Sequence, residues 1–568
     1  MTGSPARNAT PWWKQAVGYQ VYPRSFADSD GDGIGDLRGV TSRLDHLAEL
    51  GIDLLWLSPI YPSPMVDNGY DISDYRGIDP TFGTLEDVDE LIAEARRRGI
   101  RVILDLVVNH TSDAHPWFIE SRDPRSPRRD WYWWRPGRGE SPPNNWGSRF
   151  SGSAWQLDPR SGEYYLHLFA VGQPDLNWEN PEVRAEVRAI MNWWLARGIS
   201  GFRMDVINFI AKPPELPDAP VRPGELWGDA ESLYSNGPRL LEFLQELRAG
   251  TVGDADDVVL LGETPATTAA DAARLTDPAN HALDLVFQFE HVQIDHGNHR
   301  WDKKPFDLPR LKTSLANWQD GLRDRGWNSL YLNNHDQPRV VTRWGDPTRR
   351  EESAKLFATM LHAHQGTPFV YQGEEIGMRG AAFTSLTQYQ DVQSLNFADE
   401  AMTARGWSEA EVLATLRDLS RENARTPMQW ACAPAAGFST GTPWLDVPDH
   451  PVAETVAGQR GPDSVLAHYR RLIALRREEP LLSTGRFLLS EPADPNLWIV
   501  QRLGAEGGLL AIGNAGDRPR RVPAELHAQW ASAQVLLGSH RRERLPVELE
   551  PWESLLVKLP GPPAPGWR

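Results

Sequence analysis

The sequence predicts an α/β protein built around a closed (β/α)8 TIM barrel. Near-continuous apolar runs recur along the chain, at 16–22, 52–58, 101–108, 199–207, 258–263, 283–289, 329–334 and 367–373. Runs that are apolar throughout are typical of parallel strands buried on both faces. Helical patterns lie between several of these runs, and eight strand–helix alternations favour a closed barrel. A doubly wound open sheet is the alternative, but no glycine-rich nucleotide loop follows the first run.

The clearest helical patterns cover 85–99 and 180–198. Asn180 followed by Pro181 predicts an N-cap with proline at the first helical position, and Gly198 predicts the end of that helix. We therefore expect helices that alternate with the buried strands.

Two excursions interrupt this alternation. Residues 109–178 are rich in Pro, Gly, Ser, Asn and Trp and form a stretch too long for a plain loop, which predicts a small inserted domain after the third strand. The second excursion, 379–465, follows the eighth strand. Short alternating runs after residue 485 predict a C-terminal antiparallel β-sandwich domain. The expected divisions are barrel 1–108, inserted domain 109–178, barrel 179–484, β domain 485–560 and a disordered tail 561–568.

Composition limits the possible partners. The chain has 568 residues, enough for two or three domains, with 59 Lys plus Arg against 77 Asp plus Glu and a net charge of −18. This balance argues against nucleic acid or an anionic membrane as a partner and suits a neutral sugar. The 24 tryptophans favour a carbohydrate site, because aromatic faces stack on sugar rings.

The single cysteine, Cys432, excludes an internal disulfide and is typical of a reducing compartment. The first fifteen residues contain no continuous apolar segment of a secretory signal, and no stretch of eighteen apolar residues occurs. We therefore expect a cytoplasmic protein without a membrane partner, and the sequence leaves its oligomeric state open.

Three short motifs each place a carboxylate at the end of a predicted strand. They are GFRMDVIN with Asp205, LLGET with Glu263 and LNNHDQPR with Asp336. The C-terminal ends of barrel strands are where catalytic residues lie. A pair of carboxylates can cleave a glycosidic bond, one attacking or activating water while the other protonates the leaving oxygen. The third would bind or distort the sugar.

The neighbours of these carboxylates suit that chemistry. Arg203 lies two residues before Asp205 on the same side of the strand, where a guanidinium keeps a nucleophilic carboxylate ionised. The apolar run before Glu263 predicts desolvation, which raises the pKa as a proton donor requires. His335 beside Asp336, and His110 at the end of the third strand, could hold sugar hydroxyls. Each motif alone also fits a structural role, and only the joint pattern favours catalysis.

A separate pattern of alternating acidic residues and glycines follows the first strand, at Asp28, Asp30, Asp32 and Asp36. Oxygens at alternating positions around a sharp turn resemble the start of an EF-hand. Position twelve would be Gly39 rather than a bidentate glutamate, and no helix precedes the loop, so an EF-hand is not expected. A solvated acidic turn is the alternative to a cation loop.

The strings DLVVNH, GFRMDVIN, LGET, NNHDQPR and QPDLNWENP (173–181) together resemble the five short motifs of the α-amylase family of glycoside hydrolases. The likeness is to its oligo-1,6-glucosidase and α-glucosidase branch and runs from about Trp12 to Leu559. The resemblance implies that Asp205 is the nucleophile, Glu263 the general acid/base and Asp336 the carboxylate that stabilises the transition state.

The resemblance also implies roles around the first sugar. It assigns sugar contacts to Arg203, His110 and His335. Asp67 would hold the non-reducing end, Tyr70 would stack under the glucose, and Arg421 would lie beside Asp67. Glu422 departs slightly from the branch, which more often has Asp there. A structural Ca²⁺, or Mg²⁺, is implied on Asp28, Asp30, Asp32, Asp36 and the Ile34 carbonyl.

The expected activity is that of an exo-acting, retaining α-glucosidase that releases glucose from short oligosaccharides. Val206, directly after the nucleophile, resembles the residue of enzymes that prefer α-1,6 bonds, whereas Ala or Thr there goes with α-1,4 bonds. An α-1,4-glucosidase, a trehalose-6-phosphate hydrolase and a sucrose- or trehalose-type transglucosylase share the catalytic residues and stay as alternatives. The non-enzyme alternative is a transporter heavy-chain ectodomain, which carries a transmembrane helix and commonly lacks intact catalytic residues.

Overall fold

A computed structural model of the protein describes residues 10–297, 299–449, 451–505 and 507–560, so the predicted tail lies outside the described residues. The strands are β1 (Gly18–Val21), β2 (Leu54–Leu57), β3 (Arg101–Val107), β4 (Trp134–Arg135), β5 (Trp155–Asp158), β6 (Glu163–Leu166), β7 (Gly201–Asp205), β8 (Val259–Glu263), β9 (Leu285–Phe287), β10 (Ser329–Leu330), β11 (Thr367–Tyr371), β12 (Arg486–Ser490), β13 (Leu497–Gly504), β14 (Gly507–Asn514), β15 (Arg520–Arg521), β16 (Gln534–Gly538), β17 (Glu548–Leu549) and β18 (Ser554–Pro560).

The α-helices are α1 (Leu37–Ser42), α2 (Leu44–Leu50), α3 (Leu85–Arg97), α4 (Pro116–Ser121), α5 (Pro181–Arg197), α6 (Glu231–Tyr234), α7 (Leu240–Gly250), α8 (Ala269–Thr276), α9 (Leu308–Leu322), α10 (Val340–Arg343), α11 (Arg350–His362), α12 (Val392–Thr403), α13 (Glu409–Leu419), α14 (Glu422–Arg425), α15 (Val465–Glu478), α16 (Leu481–Thr484) and α17 (Ala524–Gln529). Within the described residues, no helix is long and apolar enough to cross a membrane.

The core is a parallel barrel whose strand order is β10-β11-β1-β2-β3-β7-β8-β9. A parallel bridge between Val286 and Asn328 joins the two ends of this order and closes the ring. Each barrel strand lies within a predicted apolar run, so the predicted fold class is confirmed. The strands are buried along their lengths because helices cover the outside and side chains fill the inside.

The predicted helices form where their caps indicate. The Asn180 side chain accepts a hydrogen bond from the Glu182 amide at the start of α5, and Gly198 ends the helix with φ 101°. Thr84 and Asp87 form a capping box that starts α3. These caps satisfy backbone groups that the first and last turns leave without partners.

The segment after β3 folds back over the C-terminal ends of the barrel strands. It contains the antiparallel sheet β4-β6-β5. The Leu176 amide donates to the Asn109 carbonyl, and the Trp133 indole donates to the Leu176 carbonyl. These bonds fix the segment above the end of β3, where it forms one wall of the cavity described below. A second wall comes from the excursion after β11, which contains α12, α13 and α14.

The C-terminal region forms the antiparallel sheet β12-β13-β14-β18-β16 and the small sheet β15-β17. Lys312 of α9 attaches this region to the barrel. Its ammonium group donates to the carbonyls of Glu491, Asp494 and Leu497 at 2.7, 2.7 and 2.8 Å. The β region thus packs against the outer helices, away from the C-terminal ends of the barrel strands.

Candidate active site

One cavity of about 560 Å³ opens at the C-terminal ends of the barrel strands. Its walls bring together most of the residues predicted from the sequence. The predicted residues on its walls are Asp67, Tyr70, His110, Asp205, Val206, Glu263, Asp336 and Arg421. Arg203 and His335, predicted to contact sugar, lie behind this wall with 1% and 0% of their surface exposed.

Arg203 connects three carboxylates at the floor of the cavity. Its Nη1 lies 2.6 Å from both Asp205 Oδ1 and Asp105 Oδ1, and its Nη2 lies 2.5 Å from Glu263 Oε1. One guanidinium therefore faces three buried carboxyl groups. Because an unpaired buried charge is costly, this arrangement favours a proton on one of them at neutral pH.

The backbone at the end of β7 fixes Asp205 relative to Glu263. A Cβ at Gly201 would lie 2.0 Å from the Val259 carbonyl oxygen, so glycine lets β7 approach β8 closely. Val206 then turns into the left-handed region, at φ 33° and ψ 41°, and its amide donates to Glu263 Oε2 at 2.9 Å. A β-branched residue pays roughly 1–3 kcal/mol for such a conformation. The turn holds the carboxyl groups of Asp205 and Glu263 in a set geometry.

The carboxyl groups of Asp205 and Glu263 differ in pKa. Burial raises the pKa of Glu263 to about 8 and the pKa of Asp205 to about 7, while Arg203 opposes both shifts. Glu263 therefore keeps its proton to higher pH than Asp205. A proton donor beside an ionised nucleophile requires this order.

Asp336 stays ionised because two arginines and a histidine surround its carboxylate. Arg425 Nη2 lies 2.7 Å and Arg421 Nη1 3.5 Å from its Oδ1, and His335 Nε2 lies 3.3 Å from its Oδ2. Burial acts to raise the pKa of Asp336, but His335, Arg421 and Arg425 outweigh it and hold that pKa well below its usual range. The His335 ring also stacks on the Tyr70 ring, with the two ring centroids 5.2 Å apart.

Asp67 and Arg421 close one end of the cavity. Arg421 Nη2 donates to Asp67 Oδ1 at 2.7 Å, and Gln173 Nε2 donates to Asp67 Oδ2 at 3.0 Å. Arg421 also pairs with Asp391 at 2.7 Å and lies over the Phe150 ring at 4.9 Å. All of these side chains are buried and in contact, so we interpret this side of the cavity as a blind end, at which a sugar hydroxyl could meet both a carboxylate and a guanidinium.

Tyr70 and His110 form the wall beside Arg203. The Tyr70 hydroxyl donates to Asp105 Oδ2 at 3.1 Å, and His110 Nε2 donates to the Tyr70 carbonyl at 3.1 Å. Burial lowers the pKa of His110 to about 4, so the imidazole is neutral at physiological pH. Both residues are held in place before any sugar binds.

The acidic loop after β1 brings part of its predicted cation ligands together. Carboxylate oxygens of Asp28, Asp30 and Asp36 lie within 4.8 Å of one another. Asp32 lies outside this group and accepts a hydrogen bond from the Ile34 amide at 2.7 Å. This set of three converging carboxylates fits a hard cation such as Ca²⁺, which prefers oxygen ligands.

Four site residues were not singled out from the sequence. They are Asp105, Gln173, Asp391 and Arg425. Asp105 is the charged residue inside an otherwise apolar strand, a pattern that could have indicated a functional acid. Gln173 lies in the QPDLNWENP motif. Asp391 and Arg425 carry no comparable signal, because they pair across 34 positions of the chain.

Two buried carboxyl groups with different pKa values, placed beside a blind-ended cavity of a (β/α)8 barrel, are the arrangement of a glycoside hydrolase. A profile of the α-amylase catalytic domain matches residues 20–485. The chain belongs to the α-amylase family.

Similar proteins cover almost the whole chain. The oligo-1,6-glucosidase of Parageobacillus thermoglucosidasius is 47% identical over 96% of this chain and 99% of its own length. The oligo-1,6-glucosidase of Halalkalibacterium halodurans is 50% identical over 94% of this chain and 96% of its own length. The crystal structure of a Bacillus licheniformis trehalose-6-phosphate hydrolase has a TM-score of 0.89 and 42% identity, covering 97% of this chain and 100% of that one.

Proposed function

We propose that this glycoside hydrolase is an exo-acting, retaining α-glucosidase that releases glucose from the non-reducing end of short α-1,6-linked oligosaccharides. The observation that carries the proposal is the blind end formed by Asp67 and Arg421 in the same cavity as Asp205 and Glu263. A cavity closed on one side admits a chain end and excludes the middle of a polymer.

The proposed reaction has two displacements. Asp205 attacks the anomeric carbon and forms an ester with the glucosyl unit, while the bond to the leaving oxygen breaks and that oxygen takes the proton of Glu263. Water then gives a proton to Glu263 and its oxygen to the anomeric carbon, which releases glucose and the Asp205 carboxylate. Asp336 stays anionic beside the positive charge that develops on the sugar ring.

Support for α-1,6 bonds comes from Val206 and from the relatives named oligo-1,6-glucosidases. The Val206 side chain is part of the cavity wall directly beside the nucleophile. Its bulk lies where the second sugar must turn, and the extra methylene of an α-1,6 link lets that sugar swing aside.

The test compares initial rates of glucose release from isomaltose, maltose, trehalose, trehalose 6-phosphate and sucrose under one set of conditions. We expect isomaltose to be cleaved fastest, with α-glucose as the first anomer in the NMR spectrum. A higher rate on maltose would assign an α-1,4-glucosidase, and β-glucose as the first product would exclude retention. A new disaccharide or a longer oligosaccharide formed from sucrose would assign a transglucosylase.

Trehalose-6-phosphate hydrolysis is the second candidate, favoured by arginines at the cavity. Arg149, Arg222, Arg300 and Arg310 are among its lining residues. However, Arg149 pairs with Glu231 and Arg222 with Asp229, which reduces the positive field that a phosphate needs. The same assay distinguishes the two, since a phosphate-specific enzyme would cleave trehalose 6-phosphate and leave isomaltose intact.

We also propose that the acidic loop binds one structural Ca²⁺, or Mg²⁺. Asp28, Asp30 and Asp36 would hold the ion, and it would supply charge neutralisation to the loop without entering the reaction. The proposed location is the cytoplasm, supported by the single cysteine of the sequence.

A further inference from the structure

A second groove of about 270 Å³ opens beside the catalytic cavity. Its walls come from the loops 147–152 and 222–230, from α12 and from the residues that follow α12. Arg149, Arg222, Asp229 and Arg300 line both the groove and the catalytic cavity. The groove and the catalytic cavity therefore adjoin along a shared wall.

Five aromatic side chains line the groove, which are Tyr234, Trp227, Trp301, Phe397 and Trp407. Trp301 stacks on Phe397 with centroids 4.2 Å apart, and Phe397 meets Trp407 edge-on at 5.8 Å. Trp227 differs from the other four. It is half-buried, it belongs to no hydrophobic cluster, and no ring or cation of the described part of the chain stacks on it.

Most arginines of the groove pair with carboxylates, whereas Arg300 donates to the Asp336 carbonyl at 3.3 Å. Arg405 bonds Glu225 at 3.0 Å and Glu400 at 2.8 Å, and thereby links the loop 222–230 to α12. Arg222 pairs with Asp229. An ion pair has little net charge, but its two side chains keep further hydrogen-bond donors and acceptors for a ligand. Flat aromatic rings combined with such groups suit a neutral, hydroxyl-rich ligand better than an anion.

The position of the blind end determines which part of a substrate could reach the groove. Under the proposed function Asp67 and Arg421 hold the non-reducing end, so a longer oligosaccharide extends from its reducing side. We propose that this groove binds the third and later glucose units of an isomalto-oligosaccharide, with Trp227 as the stacking surface. The inference rests on the proposed function and adds to it a preference for chain length.

The test is the kcat/KM for isomaltose, isomaltotriose and isomaltotetraose in the wild type, Trp227→Ala and Trp227→Phe. We expect Trp227→Ala to lower the value for isomaltotetraose about fivefold to tenfold and to change isomaltose less than about twofold, as loss of one aromatic contact implies. Trp227→Phe should restore most of the loss because it keeps a flat ring. Trp193→Ala, at a half-buried tryptophan of α5 that lines neither the groove nor the catalytic cavity, is the control and should leave all three values unchanged.

Equal loss on all three substrates would overturn the groove assignment, because a general structural defect has no dependence on chain length. No loss on isomaltotetraose would overturn it as well. Failure of the proposed function gives a different result, in which the wild type releases no glucose from isomaltose. In that case maltose and maltotetraose replace the α-1,6 series, and a chain-length effect of Trp227→Ala on them would assign the groove to α-1,4 chains instead.

Discussion

Arg203, Asp205 and Glu263 form a buried unit in which a single cation pairs with the two carboxyl groups proposed to react. The guanidinium bonds each carboxyl group at 2.6 and 2.5 Å. Burial raises the pKa of both groups, and the hydrogen bond from Arg203 lowers that of Asp205, which leaves the pKa of Glu263 the higher of the two. Asp105 completes the unit and shares the cation, which keeps Arg203 in position.

The pH dependence of kcat/KM should follow from this order. Activity needs Asp205 ionised, so it falls as pH drops through the Asp205 pKa of about 7. Activity also needs Glu263 protonated, so it falls as pH rises through the Glu263 pKa of about 8. A bell-shaped profile between these values is the expected result, measured with isomaltose. Glu263→Gln should remove the alkaline limb, and an alkaline limb that persists in this variant would assign it to another group.

Replacement of the two carboxylates should separate their roles. Asp205→Ala should lower kcat by at least about 10⁴-fold, as loss of a nucleophile does, with an unchanged circular dichroism spectrum. Glu263→Gln should lose much less activity on aryl glucosides than on isomaltose, because good leaving groups need little protonation. Equal losses on both substrates would argue against the acid role of Glu263.

Val206 should set the preference between linkages. Val206→Ala removes two methyl groups from the cavity wall, where a difference of this size is worth on the order of 1–3 kcal/mol. The ratio of kcat/KM for maltose to that for isomaltose should therefore rise by about tenfold. An unchanged ratio would show that the linkage preference lies elsewhere on the cavity wall.

At the scale of elements, the acidic loop joins β1 to the excursion after β11. The Ser439 hydroxyl donates to Asp28 Oδ2 at 2.5 Å, and the Asp28 amide donates to the Phe438 carbonyl at 2.9 Å. A cation on Asp28, Asp30 and Asp36 would strengthen this connection between distant parts of the chain. Removal of the ion should therefore lower the stability of the fold and leave the catalytic step unchanged.

Chelation should lower the unfolding temperature. An ion present at 100 times its Kd adds about 2.7 kcal/mol to the free energy of unfolding, if it binds only the folded state. Differential scanning calorimetry with and without EDTA measures the effect, and Ca²⁺ returned in excess should reverse it. An unchanged melting curve for a protein that elemental analysis shows to be free of metal would reject the site.

Elements whose signals are local were predictable from the sequence. The strands of the barrel and α5 follow from runs of apolar residues and from caps such as Asn180 and Gly198. The cluster of Asp67, Arg421 and Asp391 was only partly predictable, because its members come from three separate segments and pair only after folding. The left-handed turn at Val206 was not predictable, since propensity opposes it and contacts between β7 and β8 impose it.

For the whole molecule, the blind cavity should determine the pattern of attack on polymers. The segment after β2 supplies Asp67, and the inserted segment supplies Phe150 and Gln173. The excursion after β11 supplies Arg421, so three parts of the chain close one end. Starch should be a poor substrate, with glucose appearing in proportion to any loss of viscosity. Rapid loss of viscosity without matching glucose would demonstrate an open cleft that cuts internally. Isomaltose under the same conditions is the positive control.

The barrel ring has one narrow seam. β9 and β10 meet through the bridge between Val286 and Asn328, and β10 is only two residues long. Segments with few backbone hydrogen bonds have the lowest free energy of local opening. The chain that leaves β10 carries Asp336, whereas Asp205 and Glu263 lie at the ends of five-residue strands. We therefore expect warming to release the loop that carries Asp336 before the ends of β7 and β8, so that activity is lost at a lower temperature than the circular dichroism signal of the fold.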